Sequence, residues 1–347
     1  MLVDVLLAIL VVALAAYAVL GGADFGGGFW DLTAGSAQRG ARLRALVHRS
    51  MGPVWEANHV WLIVVLVVMW TCFPHAFGPL METLYVPLFL AAVGIIFRGT
   101  AYALRGEAAS ISEARVLGAV FALSSVVTPF FLGCAIGAVA SGQVPAEGDP
   151  GMPFSSWTGA TALWIGALAV VTGACVAAVF LVADSVRAQA PDLTTALRRR
   201  ALGSAVVAGA MAIGGLFIIR EDARDLYDGL TSGGGLAMVL VSAAVGLLTL
   251  GLVWTNRFEL ARYTSGVAVG AMPAGLAFAQ RPDFLPGELS LRDAAADDAT
   301  LVATLVVLVL ALLVIVPALG VLFRLTLKGR LSDRLPPIVP PDDRGTR

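Results

Sequence analysis

Three polar side chains stand within four residues of one another in an otherwise apolar stretch: Glu56, Asn58 and His59. Trp55 and Trp61 flank them, so the block offers a carboxylate, an amide and an imidazole between two indoles. A carboxylate can hold and release protons, and an imidazole can do the same or bind haem iron. Polar groups in such apolar surroundings are costly, and they normally serve a function.

Two more ionisable residues stand in similar surroundings, Asp24 late in the first apolar run and Arg98 late in the third. Glu56 stands at the start of the second run. If consecutive runs cross a membrane in opposite directions, all three residues lie at similar depth near one face. A carboxylate there can pair with Arg98 or carry protons. The alternative is that these are interfacial residues that reach water, or a structural ion pair.

Only three histidines occur in the chain, which limits haem and metal chemistry. His59 and His75 are sixteen residues apart, and about 24 Å of helical rise separates them, so they cannot ligate one iron. His48 stands outside the apolar runs. We therefore predict no metal site, assign no cofactor-binding residue, and expect His59 to be hydrogen-bonded or to handle protons. The cysteines lie in apolar runs without CxxC spacing, which favours inert thiols: Cys72, Cys134 and Cys175.

Composition indicates an all-α polytopic membrane protein. Of the 347 residues, 58% are hydrophobic and 14% are charged, against about 25% charged in a soluble domain. Several apolar runs approach the roughly 20 residues that span hydrocarbon, and continuous runs such as 301–322 lack the alternation of a barrel strand. No basic region precedes the first apolar run, so we expect a retained helix rather than a cleaved signal peptide.

We predict about nine transmembrane helices in one domain of residues 1–330. They cover approximately 5–26, 54–73, 79–102, 116–140, 158–183, 201–220, 234–254, 263–280 and 300–323. The loops on one side then hold 18 of the 23 cationic residues and those on the other hold four. Because cationic loops face the cytoplasm, the N-terminus is expected outside and the C-terminus in the cytoplasm. The Pro-rich, charged tail 331–347 is expected to be cytoplasmic and disordered.

Motifs of soluble enzymes are missing from the sequence. The glycine-rich stretch 21–28 follows a helix rather than a strand, so it is not a nucleotide-binding loop. No basic stretch with interleaved aromatics indicates nucleic-acid binding. Intramembrane acids and small residues that let helices approach closely are also found in proton-coupled secondary transporters, which is the alternative function.

Three blocks, taken in order and with their spacing, resemble subunit II of the cytochrome bd quinol oxidases. They read GADFGGG at 22–28, GPVWEANHVW at 52–61 and GIIFRG at 94–99. Nine helices with an outer N-terminus agree with that family as well. The specific part of the resemblance covers residues of about 20 to 105, and the remainder agrees in length and hydropathy only.

The resemblance implies a haem-free subunit in a bacterial cytoplasmic membrane, paired with a subunit I that carries haem b and haem d. The complex is expected to oxidise quinol on the outer side, to reduce dioxygen to water and to take protons from the cytoplasm. This chain would support assembly and proton uptake. Small accessory subunits and a structural quinone are further components that the resemblance implies, with membrane lipid around the complex.

The resemblance also carries over residue by residue. Glu56 matches an acidic position that is aspartate elsewhere in the family, and we predict that it transfers protons. Asp24 matches an acid at the end of the first helix, and Arg98 matches an arginine that closes the third. Since His59 stands where some relatives have glutamine, the site does not require an imidazole. The neighbours expected to hold Glu56 in place are Trp55, Asn58, His59 and Trp61.

Overall fold

The computed structural model describes residues 1–105, 108, 110–147 and 152–327, without the side chains of residues 37, 38, 53, 56, 111, 323, 326 and 327. This part of the chain forms eleven α-helices and one β-hairpin. The helices are α1 (Leu2–Leu32), α2 (Ala37–Cys72), α3 (Pro74–Thr83), α4 (Tyr85–Leu104), α5 (Ile111–Ala140), α6 (Ala160–Arg187), α7 (Pro191–Asp222), α8 (Arg224–Leu230), α9 (Gly233–Trp254), α10 (Phe258–Ala279) and α11 (Asp298–Leu327). The hairpin strands are β1 (Asp283–Leu285) and β2 (Leu289–Ser290). The predicted tail 331–347 lies outside the described residues.

Seven of the described helices are long and apolar enough to cross a membrane: α1, α4, α5, α6, α7, α9 and α11. Two segments of α2 form an eighth candidate. The predicted span 263–280 falls in α10. This helix is long enough to cross a membrane at 22 residues, but its most apolar stretch is less apolar than those of the seven helices above. Its sequence mixes Ser, Thr, Tyr and Gly with the apolar residues. The described residues therefore hold seven or eight candidate spans, which marks the chain as a membrane protein, and the predicted number of nine depends on whether α10 also crosses the membrane.

Several predicted boundaries differ from the structure, among them the start of α7, which begins at Pro191 rather than at residue 201. The expected helix 79–102 is divided, because α3 ends at Thr83 and α4 begins at Tyr85. The expected helix 54–73 is only the second half of α2, which begins at Ala37 after Ser36 accepts a hydrogen bond from the backbone N–H of Arg39. The segments Arg39–Gly52 and Ala57–Cys72 meet at 49°. Pro53 falls in this bend, and proline has no N–H for the helical hydrogen bond.

Helix α1 lies at the centre of the described structure, against α2, α5, α6, α10 and α11. The glycines at its end permit this packing, because a Cβ on Gly26 would overlap the backbone of Gly173 in α6. A Cβ on Gly28 would overlap the Ser125 side chain of α5, and one on Gly27 would stand 2.9 Å from Met51 Cγ of α2. Small residues therefore bring three helices close to the segment of α1 that carries Asp24.

Candidate functional site

Asp24 and Arg98 form a buried ion pair between α1 and α4. Arg98 Nη2 donates to Asp24 Oδ1 at 2.6 Å, and Nη1 donates to Oδ2 at 2.8 Å. Nη2 also donates to the backbone carbonyl of Asp24 at 3.0 Å. Asp24 is 0% exposed and Arg98 is 2% exposed. The structure thus brings together two of the predicted residues in a bidentate ion pair, which is a strong arrangement for arginine and a carboxylate.

Two more helices contribute side chains to this pair. Asn58 of α2 donates through Nδ2 to Asp24 Oδ2 at 2.8 Å. Ser125 of α5 accepts from Arg98 Nε at 2.9 Å and donates to the Phe121 carbonyl at 2.6 Å. Four helices are therefore joined at one point. We refer to Asp24, Asn58, Arg98 and Ser125 as the buried pair site.

Aromatic rings cover the guanidinium of Arg98. Its Cζ lies 5.1 Å from the ring centre of Phe25 and 4.6 Å from that of Phe121. A ring face attracts a cation, and the attraction grows where water is excluded. The charge of Arg98 is thus balanced by one carboxylate and two ring faces, and the Asp24 carboxylate has hydrogen bonds on both oxygens. The site is neutral overall and holds its geometry firmly.

A second cluster of charges lies toward the end of α1. Asp31 stands seven residues after Asp24, about two helical turns along the same face. Its Oδ1 accepts from Arg44 Nε at 2.8 Å and its Oδ2 accepts from Arg105 Nη1 at 2.7 Å. The Phe121 ring lies between the two layers, 4.6 Å from Arg98 Cζ and 5.9 Å from Arg105 Cζ. Two acid–arginine layers are therefore stacked along α1.

The side chain of Glu56 lies outside the described residues, but its neighbours in α2 are described. His59 Nδ1 is 2.7 Å from the Trp55 carbonyl, and the two rings are 4.9 Å apart. Trp55 also stacks on Tyr102 of α4 at 5.8 Å. Trp55 and His59 are thereby anchored beside the buried pair site. Trp61 makes no hydrogen bond or ring contact with the site among the described residues.

The described residues contain no group of three or more His, Cys, Asp or Glu side chains that could hold a metal ion. His48 stacks against Tyr102 at 4.7 Å, and His75 lies in a different helix, α3, from His59. Cys72 and Cys134 are free and buried, and Cys175 is free and half-buried.

Sequence reasoning missed the contribution of α5 and the partners of Asp31. Ser125 was not considered, although Ser124, Ser125 and Thr128 form a hydroxyl-bearing stretch inside an apolar run. Arg105 follows the predicted span 79–102 and was not among the predicted site residues, although it caps α4 and bonds Asp31. The hydroxyl residues that lie at the depth of the charged residues in the sequence are the signal that points to Ser125.

Removing the Ser125 hydroxyl is expected to weaken the site without dismantling it. In Ser125→Ala, Arg98 Nε loses its acceptor while both bonds to Asp24 remain. An unsatisfied buried donor costs about 1–3 kcal/mol, so we expect a lowered unfolding temperature of the purified complex. Ser265→Ala is the control, because Ser265 Oγ is also buried and donates to a carbonyl of its own helix, that of Arg262. Equal unfolding temperatures for the two variants would contradict the assignment.

Comparison with known proteins identifies the family of this chain. Residues 2–326 match the family described as cytochrome bd terminal oxidase subunit II. The chain is 28% identical over 90 residues to the cytochrome bd ubiquinol oxidase subunit 2 of Bacillus subtilis (strain 168), an alignment that covers 26% of this chain and 27% of that relative. It is 23% identical over 223 residues to the putative cytochrome bd menaquinol oxidase subunit II of the same organism, covering 62% of this chain and 61% of the relative.

The fold is also similar to that of a solved structure, the bd oxidase from Geobacillus thermodenitrificans. The TM-score is 0.73, and the match covers 94% of this chain and 99% of that chain at 23% sequence identity. The two proteins therefore share a fold.

Proposed function

We propose a function from one established premise: the chain belongs to the cytochrome bd terminal oxidase subunit II family, whose match covers residues 2–326. In this proposal the chain is one subunit of a bacterial cytoplasmic-membrane enzyme that oxidises quinol and reduces dioxygen to water. The family match favours this function over the proton-coupled secondary transporter that the residues alone left open.

The haems of the proposed enzyme, b and d, are assigned to a partner subunit I. The proposal that the haems lie on subunit I rests on the family and on the small number of histidines in this chain, three, of which His59 lies in α2 and His75 in α3. His48 lies against the Tyr102 ring. Quinol is the proposed substrate of the complex, and small accessory subunits, lipid and a structural quinone are its further candidate components.

The proposed topology has nine spans, an outer N-terminus and a cytoplasmic C-terminus. Helix α10 counts as the ninth span because it packs along the whole of α9 and has the same length, 22 residues. The excess of cationic residues in alternate loops supports the orientation. Under it, the Asp31 cluster lies nearest the cytoplasm and the buried pair site lies one layer deeper.

The proposed role of the chain is to support assembly and to admit protons from the cytoplasm, with Glu56 as the carrier. The observation that supports this role is the bond from Asn58 Nδ2 to Asp24 Oδ2, which places the segment of α2 that begins with Glu56 at the depth of the buried pair site. Glu56 therefore stands at the level of a polar site inside the membrane domain. Asp24 and Arg98 line the route and fix the four helices around it.

Replacing Glu56 with glutamine tests this role. In the complex co-produced with the haem-bearing subunit, Glu56→Gln is expected to slow quinol-driven proton uptake and oxygen consumption by about a hundredfold, since a positioned proton carrier contributes at least that much. Haem content should stay normal. Glu56→Asp should retain activity, and Glu82→Gln is the control because Glu82 is an exposed carboxylate on α3. Wild-type proton uptake in Glu56→Gln would refute the role, and loss of assembly would make Glu56 a structural residue instead.

A further inference from the structure

Three buried polar atoms around the buried pair site have no hydrogen-bond partner among the described residues: Tyr17 Oη, Asn58 Oδ1 and Thr128 Oγ1. They are three of only seven such atoms in the described side chains, and the other four belong to Thr161, Thr172, Arg200 and Gln280. Buried polar atoms in folded proteins almost always have a partner, and water supplies it where the protein does not. A concentration of such atoms around one site therefore points to bound water.

Thr128 lies one step deeper in the membrane domain than the ion pair. It follows Ser125 by three residues in α5, and Ser125 bonds Arg98. Its Oγ1 lies against Gly94 of α4, where a Cβ would overlap it. Gly94 precedes Arg98 by four residues, one helical turn on the same face. Both helices thus place the Thr128 hydroxyl on the side of Arg98 that faces away from Arg105.

Tyr17 approaches the same region from α1. It precedes Asp24 by seven residues, about two turns on the same face. A Cβ on Gly21 would stand 3.5 Å from the Tyr17 ring and 3.6 Å from the Phe25 ring, so the two rings flank Gly21. Phe25 in turn lies over the Arg98 guanidinium. The Tyr17 ring thus lies next to the ring that covers Arg98.

The polar groups therefore follow one track inward from the end of α1. The Asp31 cluster comes first, the buried pair site second, and the hydroxyls of Tyr17 and Thr128 third. Asn58 joins the second and third layers, because its Nδ2 is bonded to Asp24 while its Oδ1 has no partner among the described residues. Beyond this layer the described side chains form an apolar core that includes Leu6, Leu10 and Ala138.

We propose that Tyr17, Asn58 and Thr128 bind water in this third layer, and that this water is the inner segment of the proton route through the chain. The proposal rests on the proton-admitting function proposed above for Glu56. Water and hydroxyl groups relay a proton by accepting one on an oxygen lone pair and releasing another, so no group keeps a net charge. The neutral Asp24–Arg98 pair beside the water neither traps nor repels the moving proton. Since the track ends at an apolar core, the proton leaves this chain sideways, toward the partner subunit.

Two substitutions that remove single hydroxyls test the proposal in the assembled complex. Thr128→Val and Tyr17→Phe are each expected to slow single-turnover proton uptake by about tenfold, the effect of losing roughly one hydrogen bond to the water. Thr128→Ser should restore the rate. Thr172→Val is the matched control, because Thr172 Oγ1 is also buried without a partner among the described side chains but lies on α6, which contributes nothing to the buried pair site.

The outcomes separate this proposal from the function on which it rests. Wild-type uptake in both hydroxyl variants, with slow uptake in Glu56→Gln, would overturn the water segment alone. Wild-type uptake in Glu56→Gln would overturn the proton-admitting function as well.

The bound water can also be observed directly in the wild-type complex, which does not require that any variant folds. A cryo-EM map of the wild-type complex that resolves ordered water should show at least one molecule within hydrogen-bond distance of Tyr17 Oη or Thr128 Oγ1. Direct protein partners for both hydroxyls, with no water between them, would overturn the proposal even if a variant failed to assemble.

Discussion

Replacing Arg98 with methionine is expected to prevent the folded complex from accumulating. The substitution leaves the Asp24 carboxylate, which is 0% exposed, without the guanidinium that binds both of its oxygens. Breaking a buried ion pair by removing one partner costs about 3–5 kcal/mol. This is a large share of the roughly 5–15 kcal/mol that stabilises a typical protein. The measurement is the yield of intact complex after detergent extraction, followed by size-exclusion chromatography.

A compensating change distinguishes a buried charge from a general packing defect. The double variant Asp24→Leu with Arg98→Met should recover much of the yield, because an apolar pair of similar volume often replaces a buried ion pair at little cost. Arg42→Met is the control for loss of an arginine, since its bond to Asp192 is exposed, with side chains 65% and 54% accessible, and such pairs contribute about 0–1 kcal/mol. Wild-type yield of Arg98→Met would show that the pair does not stabilise the fold.

Replacing Gly26 with alanine is expected to destabilise the protein through packing alone. A Cβ at Gly26 would overlap the carbonyl carbon and oxygen of Gly173, so α1 and α6 would have to separate. Overpacking typically costs about 1–3 kcal/mol, and backbone atoms cannot move aside as a flexible side chain can. Because α1 carries Asp24, separation of these helices would also disturb the buried pair site. We expect a lowered unfolding temperature and a reduced yield of complex.

Gly22→Ala is the matched control for this substitution. It adds the same methyl group to the same helix one turn earlier, where the Cβ would stand 3.5 Å from Gly173 Cα, an ordinary van der Waals contact. We expect Gly22→Ala to fold like the wild type. Equal unfolding temperatures for the two alanine variants would show that α1 and α6 do not approach each other at Gly26 as closely as the structure indicates.

The membrane class and the ion pair were predictable because they depend on length, apolarity and depth. Most of the spanning helices follow from the runs of apolar residues. Asp24 and Arg98 both lie late in runs that cross the membrane in the same direction, so they are expected at the same depth. The break between α3 and α4 at Leu84 was missed, although Pro87 in the first turn of α4 is a signal for the start of a helix. The first half of α2 fell in a predicted connection, because Gly40 and Pro53 were taken as helix breakers, yet both lie within the helix.

The remaining parts of the site depend on how the helices are rotated about their axes. Spans that are apolar on every side give no pattern from which that rotation can be read. The sequence therefore shows that Ser125 and Thr128 lie in a span, but it does not show that they face Arg98 and Gly94. Likewise, the pairing of Asp31 with Arg105 joins residues 74 positions apart, and only the packed structure brings them together.

The most direct test of the central claim is the visible absorption spectrum of the affinity-tagged chain, purified from its native membrane and also produced alone. From the native membrane, we expect a second large membrane chain to co-purify together with haem absorbance and quinol-driven oxygen consumption. Produced alone, the chain should show no haem. Stoichiometric haem on the isolated chain, or a native preparation that contains neither haem nor a second large chain, would contradict the proposal that the chain is the haem-free subunit of a quinol oxidase.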